Sequence, residues 1–95
     1  MTIKTNKNGG IWFTFSNGWT ISIQHGANSL VDNGFTDEFT PPRYITEKME
    51  IAIIKPGGGF HQPNGWDDNV LTDVTADEIV EWMQYVNAQP KESRV

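Results

Sequence analysis

The stretch Ile11-Trp12-Phe13-Thr14-Phe15-Ser16-Asn17-Gly18-Trp19-Thr20-Ile21-Ser22-Ile23-Gln24 holds two runs of period-two alternation around an Asn-Gly pair. Such runs, rich in β-branched and aromatic residues, mark two strands. The turn decides how they pair. A two-residue turn at Asn17-Gly18 would set Phe15 opposite Thr20 and Phe13 opposite Ser22, mixing apolar and polar rows on each face. A three-residue turn, Ser16-Asn17-Gly18 with Gly18 left-handed, pairs Phe15 with Trp19, Phe13 with Ile21 and Ile11 with Ile23. Cross-strand partners share a face, so this register alone builds one continuous apolar surface.

That surface needs a cover, and the C-terminal quarter supplies one. Thr75-Ala76-Asp77-Glu78 matches the capping box, in which the cap hydroxyl and the glutamate three residues on satisfy exposed helix amides reciprocally. Ile79, Trp82, Met83 and Val86 then recur at helical spacing, and Pro90 closes the pattern. The expected helix runs over roughly 76–88.

Between hairpin and helix, Lys48 to Lys55 reads as a third strand, with Met49, Ile51 and Ile53 on one face and Glu50, Ala52 and Ile54 on the other. Ile54 on the second face suits a central strand. Pro56-Gly57-Gly58-Gly59 ends it, and Phe60-His61-Gln62 starts a return strand. Val70-Leu71 is either a short final strand or a segment plugging the core. The expectation is an α+β domain: a three- to four-stranded antiparallel sheet with one C-terminal helix packed on one face. One domain spans 1–95, with the polar segments 1–10 and 90–95 as disordered arms. Residues 26–46 hold turn chemistry without a period, and irregular stretches of that length are often functional. Whether this stretch is a binding loop or a second small core stays open.

Composition narrows the chemistry. The chain has 95 residues, no cysteine, seven basic and twelve acidic residues, and a net charge of −5. Without cysteine there are no disulfides, thiolate metal sites or cysteine nucleophiles. The longest purely apolar run, Ile51 to Ile54, is far short of the ~18 residues of a membrane span, and no signal-peptide pattern opens the chain. The expectation is a soluble cytoplasmic protein with no membrane association. His61, Asp67 and Asp68 are the best oxygen–nitrogen metal set, but no metal-ligand spacing supports them, and none is assigned. No serine lies in a nucleophile elbow, and adjacent carboxylates in loops are usually solvated, so no catalytic residue or cofactor is assigned. The glycine run at 57–59 lacks the Gly-Lys-Ser/Thr and the following helix of a phosphate loop.

Charge and aromatics say more. Residues 1–31 carry Lys4 and Lys7 and no acid, whereas 56–90 carry Asp67, Asp68, Asp73, Asp77, Glu78 and Glu81 and no base. Asp77 and Glu78 suit the first turn of a helix; Asp67 and Asp68 have no such cause. An acidic face disfavours direct nucleic-acid binding and suits a basic protein surface. Of four tryptophans, Trp19 and Trp82 fall on core faces. Trp12 falls on the opposite face of its strand, and Trp66 lies in the Asn64-Gly65-Trp66-Asp67-Asp68 turn. Exposed tryptophan beside polar loop residues is the composition of a binding hot spot or a base-stacking platform. The expected contact residues are Trp66, Asp67, Asp68, Phe35, Asp37, Glu38, Phe39 and Trp12.

Three segments carry a resemblance. Ile21-Ser22-Ile23-Gln24-His25-Gly26, the strand Glu50-Ile51-Ala52-Ile53 and the helix Thr75-x-x-Glu78-Ile79-Val80-Glu81-Trp82 are similar to short uncharacterised bacteriophage-encoded proteins. In those proteins a Ser-Ile/Val-Gln-x-Gly strand end, a Glu-Ile/Val-Ala-Ile/Val strand and an Asp-Glu-Ile/Val-x-acid-Trp helix recur in that order. The likeness covers residues 11–88. The chain departs from it at Ser29, where an aromatic tends to stand, and at Ile54-Lys55, near which a tryptophan tends to stand. The resemblance implies an accessory phage protein acting in the bacterial cytoplasm, and it transfers no catalytic residue. The resulting expectation is a non-enzymatic protein that binds and inhibits a host defence protein through acidic and aromatic loops. One alternative is a sequestering protein for a nucleotide-like signalling ligand, stacked across a homodimer because a domain this small lacks pocket volume. Another is a structural virion or assembly component.

Overall fold

The computed structural model describes residues 1–5, 9–24 and 48–91. Its elements are β1 (Thr2–Thr5), β2 (Ile11–Thr14), β3 (Thr20–Gln24), β4 (Met49–Ile54), β5 (Phe60–His61), β6 (Val70–Val74) and α1 (Ala76–Asn87). All strands belong to one antiparallel sheet in the order β1-β2-β3-β4, with β5 and β6 both on the far side of β4. Among the described residues no helix is long and apolar enough to cross a membrane.

The decisive hairpin takes the three-residue turn. Ile11 pairs with Ile23 and Phe13 with Ile21. The Phe15 amide donates to the Trp19 carbonyl and the Gly18 amide to the Phe15 carbonyl, both at 2.9 Å. Gly18 sits at φ +88°, a conformation open to glycine because it has no Cβ to clash.

Strand pairing sorts the side chains into rows. Ile3, Phe13, Ile21, Ile53 and His61 form one row on the helix side; Thr5, Ile11, Ile23, Ile51 and Leu71 form the next. The other face carries Thr2, Thr14, Thr20, Ile54 and Phe60, then Lys4, Trp12, Ser22, Ala52 and Val70. α1 covers the first face. Ile21, Ile51, Ile53, Val74 and Val86 are fully buried there, each contributing ~1.5–3 kcal/mol by transfer from water. Ile79, Trp82, Met83 and Tyr85 pack around them.

Both ends of α1 are satisfied by side chains. At the start, the Glu78 amide donates to Thr75 Oγ1 at 3.3 Å, and the Thr75 amide donates to Glu78 Oε1 at 3.2 Å. The last turn has no basic residue. Instead Asn17 Nδ2 donates to the carbonyls of Val86 and Gln89, each at 2.9 Å, with a longer reach of 3.4 Å to Asn87. Trp19 Nε1 adds a bond to the Pro90 carbonyl at 3.1 Å. The first hairpin turn thus caps the helix that ends about seventy positions later.

The strand count corrects the expectation of three or four. Thr2–Thr5, expected as part of a disordered arm, pairs with β2 residue for residue. Its β-branched residues favour an extended backbone, but all four are exposed, so no burial alternation marks them as a strand. Pro90, expected to begin the C-terminal arm, is held through its carbonyl by Trp19. β5 and β6 are two pieces of one edge. β5 pairs with Ile53 and Ile54, β6 with Met49 to Ala52, and residues 62–69 leave the edge between them. β6 also contains a bulge, where Thr72 and Asp73 stand against Glu50, with Asp73 at φ +58°.

Candidate functional site

Because β5 and β6 share one edge, the chain between them must leave the sheet and return to it. It turns through Pro63-Asn64-Gly65, with the Trp66 amide donating to the Pro63 carbonyl at 3.2 Å and Gly65 at φ +94°. Gln62 Nε2 holds the Trp66 carbonyl at 2.7 Å. This return swings the Trp66 ring inward, where it meets Trp82 edge-on at 5.0 Å. Trp66 is 8% exposed. The expectation that it is an exposed contact residue is therefore corrected: it is a core residue, filling the gap that the broken edge leaves beside α1. Its indole Nε1 is buried with no hydrogen-bond partner among the described residues, an omission that costs about 1–3 kcal/mol.

Trp66 begins a chain of rings. Trp82 meets Tyr85 edge-on at 5.3 Å, Tyr85 stacks on His61 at 6.0 Å, and His61 meets Trp19 edge-on at 5.1 Å. His61 Nε2 and the Tyr85 hydroxyl are 2.8 Å apart. The His61 ring is thus built into the packing between β5 and α1. Among the described residues no group of three His, Asp or Glu is placed to hold a metal ion.

Asp67 and Asp68 are exposed, as the sequence suggests. Asp68 Oδ1 accepts the Asn69 amide at 2.6 Å, which fixes the turn leading into β6. Trp12 lies elsewhere. It is 37% exposed on the sheet face opposite α1, and Lys4, its direct cross-strand partner, sets its ammonium 5.4 Å from the ring centre. Phe60, which the sequence reading did not single out, is 53% exposed on the same face. Ser22 and Ala52 separate Trp12 from Val70 along one row, so about 14 Å of sheet lies between Trp12 and the segment holding Asp67 and Asp68. The expected contact residues within the described chain do not form one cluster: Trp66 is inside, the two aspartates lie at one edge, and Trp12 lies near the other. Phe35, Asp37, Glu38 and Phe39 lie outside the described residues.

The arrangement offers an aromatic–cation pair on a rigid strand, a second exposed ring and a separate acidic edge. Rigid aromatic groups with little rotamer freedom are well suited to protein contact. In comparisons with protein-family models, curated proteins and solved structures, nothing matches this chain.

Proposed function

We propose that the chain is a small non-enzymatic binding protein that occupies a surface of another protein, with Trp12 as its principal contact residue. The observation supporting this reading is the Trp12–Lys4 pair: a large ring left partly exposed on a regular strand, with a cation over it. Phe60, on the same face but with β3 and β4 between it and Trp12, is a separate exposed ring, and Asp67 and Asp68 supply an acidic edge that favours a basic patch on the partner. In keeping with the likeness to phage proteins, the partner is a bacterial host protein, such as a defence protein that is inhibited when its surface is covered in the cytoplasm. The nucleotide-sequestering alternative loses one of its two stacking candidates, since Trp66 is packed against Trp82, and keeps Trp12.

The test is quantitative capture from host lysate with the wild-type chain and with Trp12→Ala. The wild-type chain is expected to recover one partner stoichiometrically. Truncating a tryptophan hot spot costs about 2 kcal/mol or more, so Trp12→Ala should weaken that interaction roughly thirtyfold or more. Equal recovery by both chains, or no stoichiometric partner at all, would sink the reading.

A further inference from the structure

The two edges of the sheet are built differently. The β5/β6 edge is interrupted between His61 and Val70, contains Pro63, carries Asp67 and Asp68, and is bulged at Thr72-Asp73. Interruption, proline, charge and bulging all deter the addition of a further strand. β1 is regular over its whole length, has no proline or bulge, and among the described residues pairs with β2 alone; its one charge, Lys4, sits over the Trp12 ring of β2. Ile3 is 66% exposed and Met1 85%. Ile3 is also the outer end of the apolar row that runs through Phe13, Ile21 and Ile53. Among the described residues that row therefore ends on an edge that no strand covers.

We propose that β1 pairs antiparallel with β1 of a second copy of this chain, about a two-fold axis normal to the sheet, so that one sheet runs through a homodimer. The side-chain pattern selects the register. Partners across an antiparallel pair share a face, so Ile3 must meet an odd-numbered residue of the other copy. Setting Lys4 opposite Lys4 places two ammonium groups together and leaves Ile3 against Thr5, which is unfavourable. Setting Ile3 opposite Ile3 puts Lys4 against Thr2 and Met1 against Thr5. This register avoids the like-charge contact and joins the two apolar rows at their exposed ends. A second copy fits because the strand is self-complementary in this register. Two-fold symmetry then places the Ile3 pair on the axis and makes each off-axis contact, Lys4 with Thr2 and Met1 with Thr5, occur twice. Five paired residues a side fall below the ~1,200 Å² typical of stable interfaces, so the dimer exchanges with monomer as concentration changes. The inference stands apart from the partner-binding reading, since either copy still presents its own Trp12–Lys4 pair.

The experiment is sedimentation velocity on the full chain over a wide dilution series, for the wild-type protein, Ile3→Lys, Ile3→Glu and an equimolar mixture of the two variants. Wild-type protein should move from monomer to dimer as concentration rises. Each variant alone should dissociate at least about tenfold more readily, because like charges meet on the axis. The mixture should recover a heterodimer, visible by mass in native spectrometry. Ile3 is exposed, and circular dichroism checks that the variants fold. Independently of any variant, an isotope-filtered spectrum of mixed labelled and unlabelled wild-type chains should show Ile3-to-Ile3 contacts between copies. Wild-type protein that stays monomeric, variants that dimerise like the wild type, a mixture that stays monomeric, or absent Ile3-to-Ile3 contacts would each overturn the proposal.

Discussion

Two hairpin turns of the same length sit side by side at one end of the sheet. In the first, the Phe15 amide donates to the Trp19 carbonyl and the Gly18 amide to the Phe15 carbonyl; in the second, the Lys55 amide donates to Gly59 and the Gly58 amide to Lys55. The four bonds span only 2.9–3.0 Å. Their surroundings differ. The middle residue of the first turn, Asn17, accepts the Trp19 amide on Oδ1 at 3.1 Å while its Nδ2 holds the helix terminus. The middle residue of the second, Gly57, is at φ +85°, and neither it nor Gly58 has anything within 4 Å of where a Cβ would stand. One hydrogen-bond pattern thus serves as a clasp between sheet and helix, and elsewhere, on a backbone whose middle residue is left-handed, only reverses the chain. The clasp is made by the Asn17 side chain.

Asn17→Ala is expected to have the largest effect. It leaves partly buried carbonyls at Val86 and Gln89 without their donor and frees the turn, costing about 2–4 kcal/mol in urea unfolding. Gly18→Ala comes next. The φ of +88° penalises any Cβ, and that Cβ would lie 3.2 Å from Pro56, so about 1–2 kcal/mol should be lost. Gly58→Ala sharpens the comparison, because the φ of +97° is equally unsuitable but the space is open; about 1 kcal/mol or less is expected. Gly57→Asn should be nearly neutral, within about 0.5 kcal/mol, since Asn tolerates left-handed backbone. Thermal scans should rank the four in the same order. If Gly58→Ala proved as harmful as Asn17→Ala, the second turn would be tied to something beyond its own backbone.

The parts legible in the sequence are those whose signal is local. The register of the first hairpin follows from keeping Phe13 with Ile21, and the helix follows from Thr75, Glu78 and the spacing of Ile79, Trp82, Met83 and Val86. β1 was not legible as a strand because it buries nothing and so shows no alternation. Trp66 defeats a local reading for a different reason. Beside Asn64-Gly65 and two aspartates it has the neighbours of a surface residue. Its burial depends on β5 and β6 sharing one edge of β4, which no local pattern encodes. Asn17 looks like an ordinary turn residue for the same reason, since its acceptors are the last carbonyls of α1. For the candidate site, the exposure of Trp12 could be read from alternation, but its Lys4 neighbour depended on β1.

The clasp at Asn17 and Trp19 has a practical consequence for handling the molecule. A chain cut after Asn87, or a fusion that remodels residues 88–90, removes the acceptors offered by Gln89 and Pro90 and so weakens the opposite end of the polypeptide. Such an edit would be felt in the first β-turn as frayed amides in hydrogen exchange, although the alteration lies some seventy residues downstream.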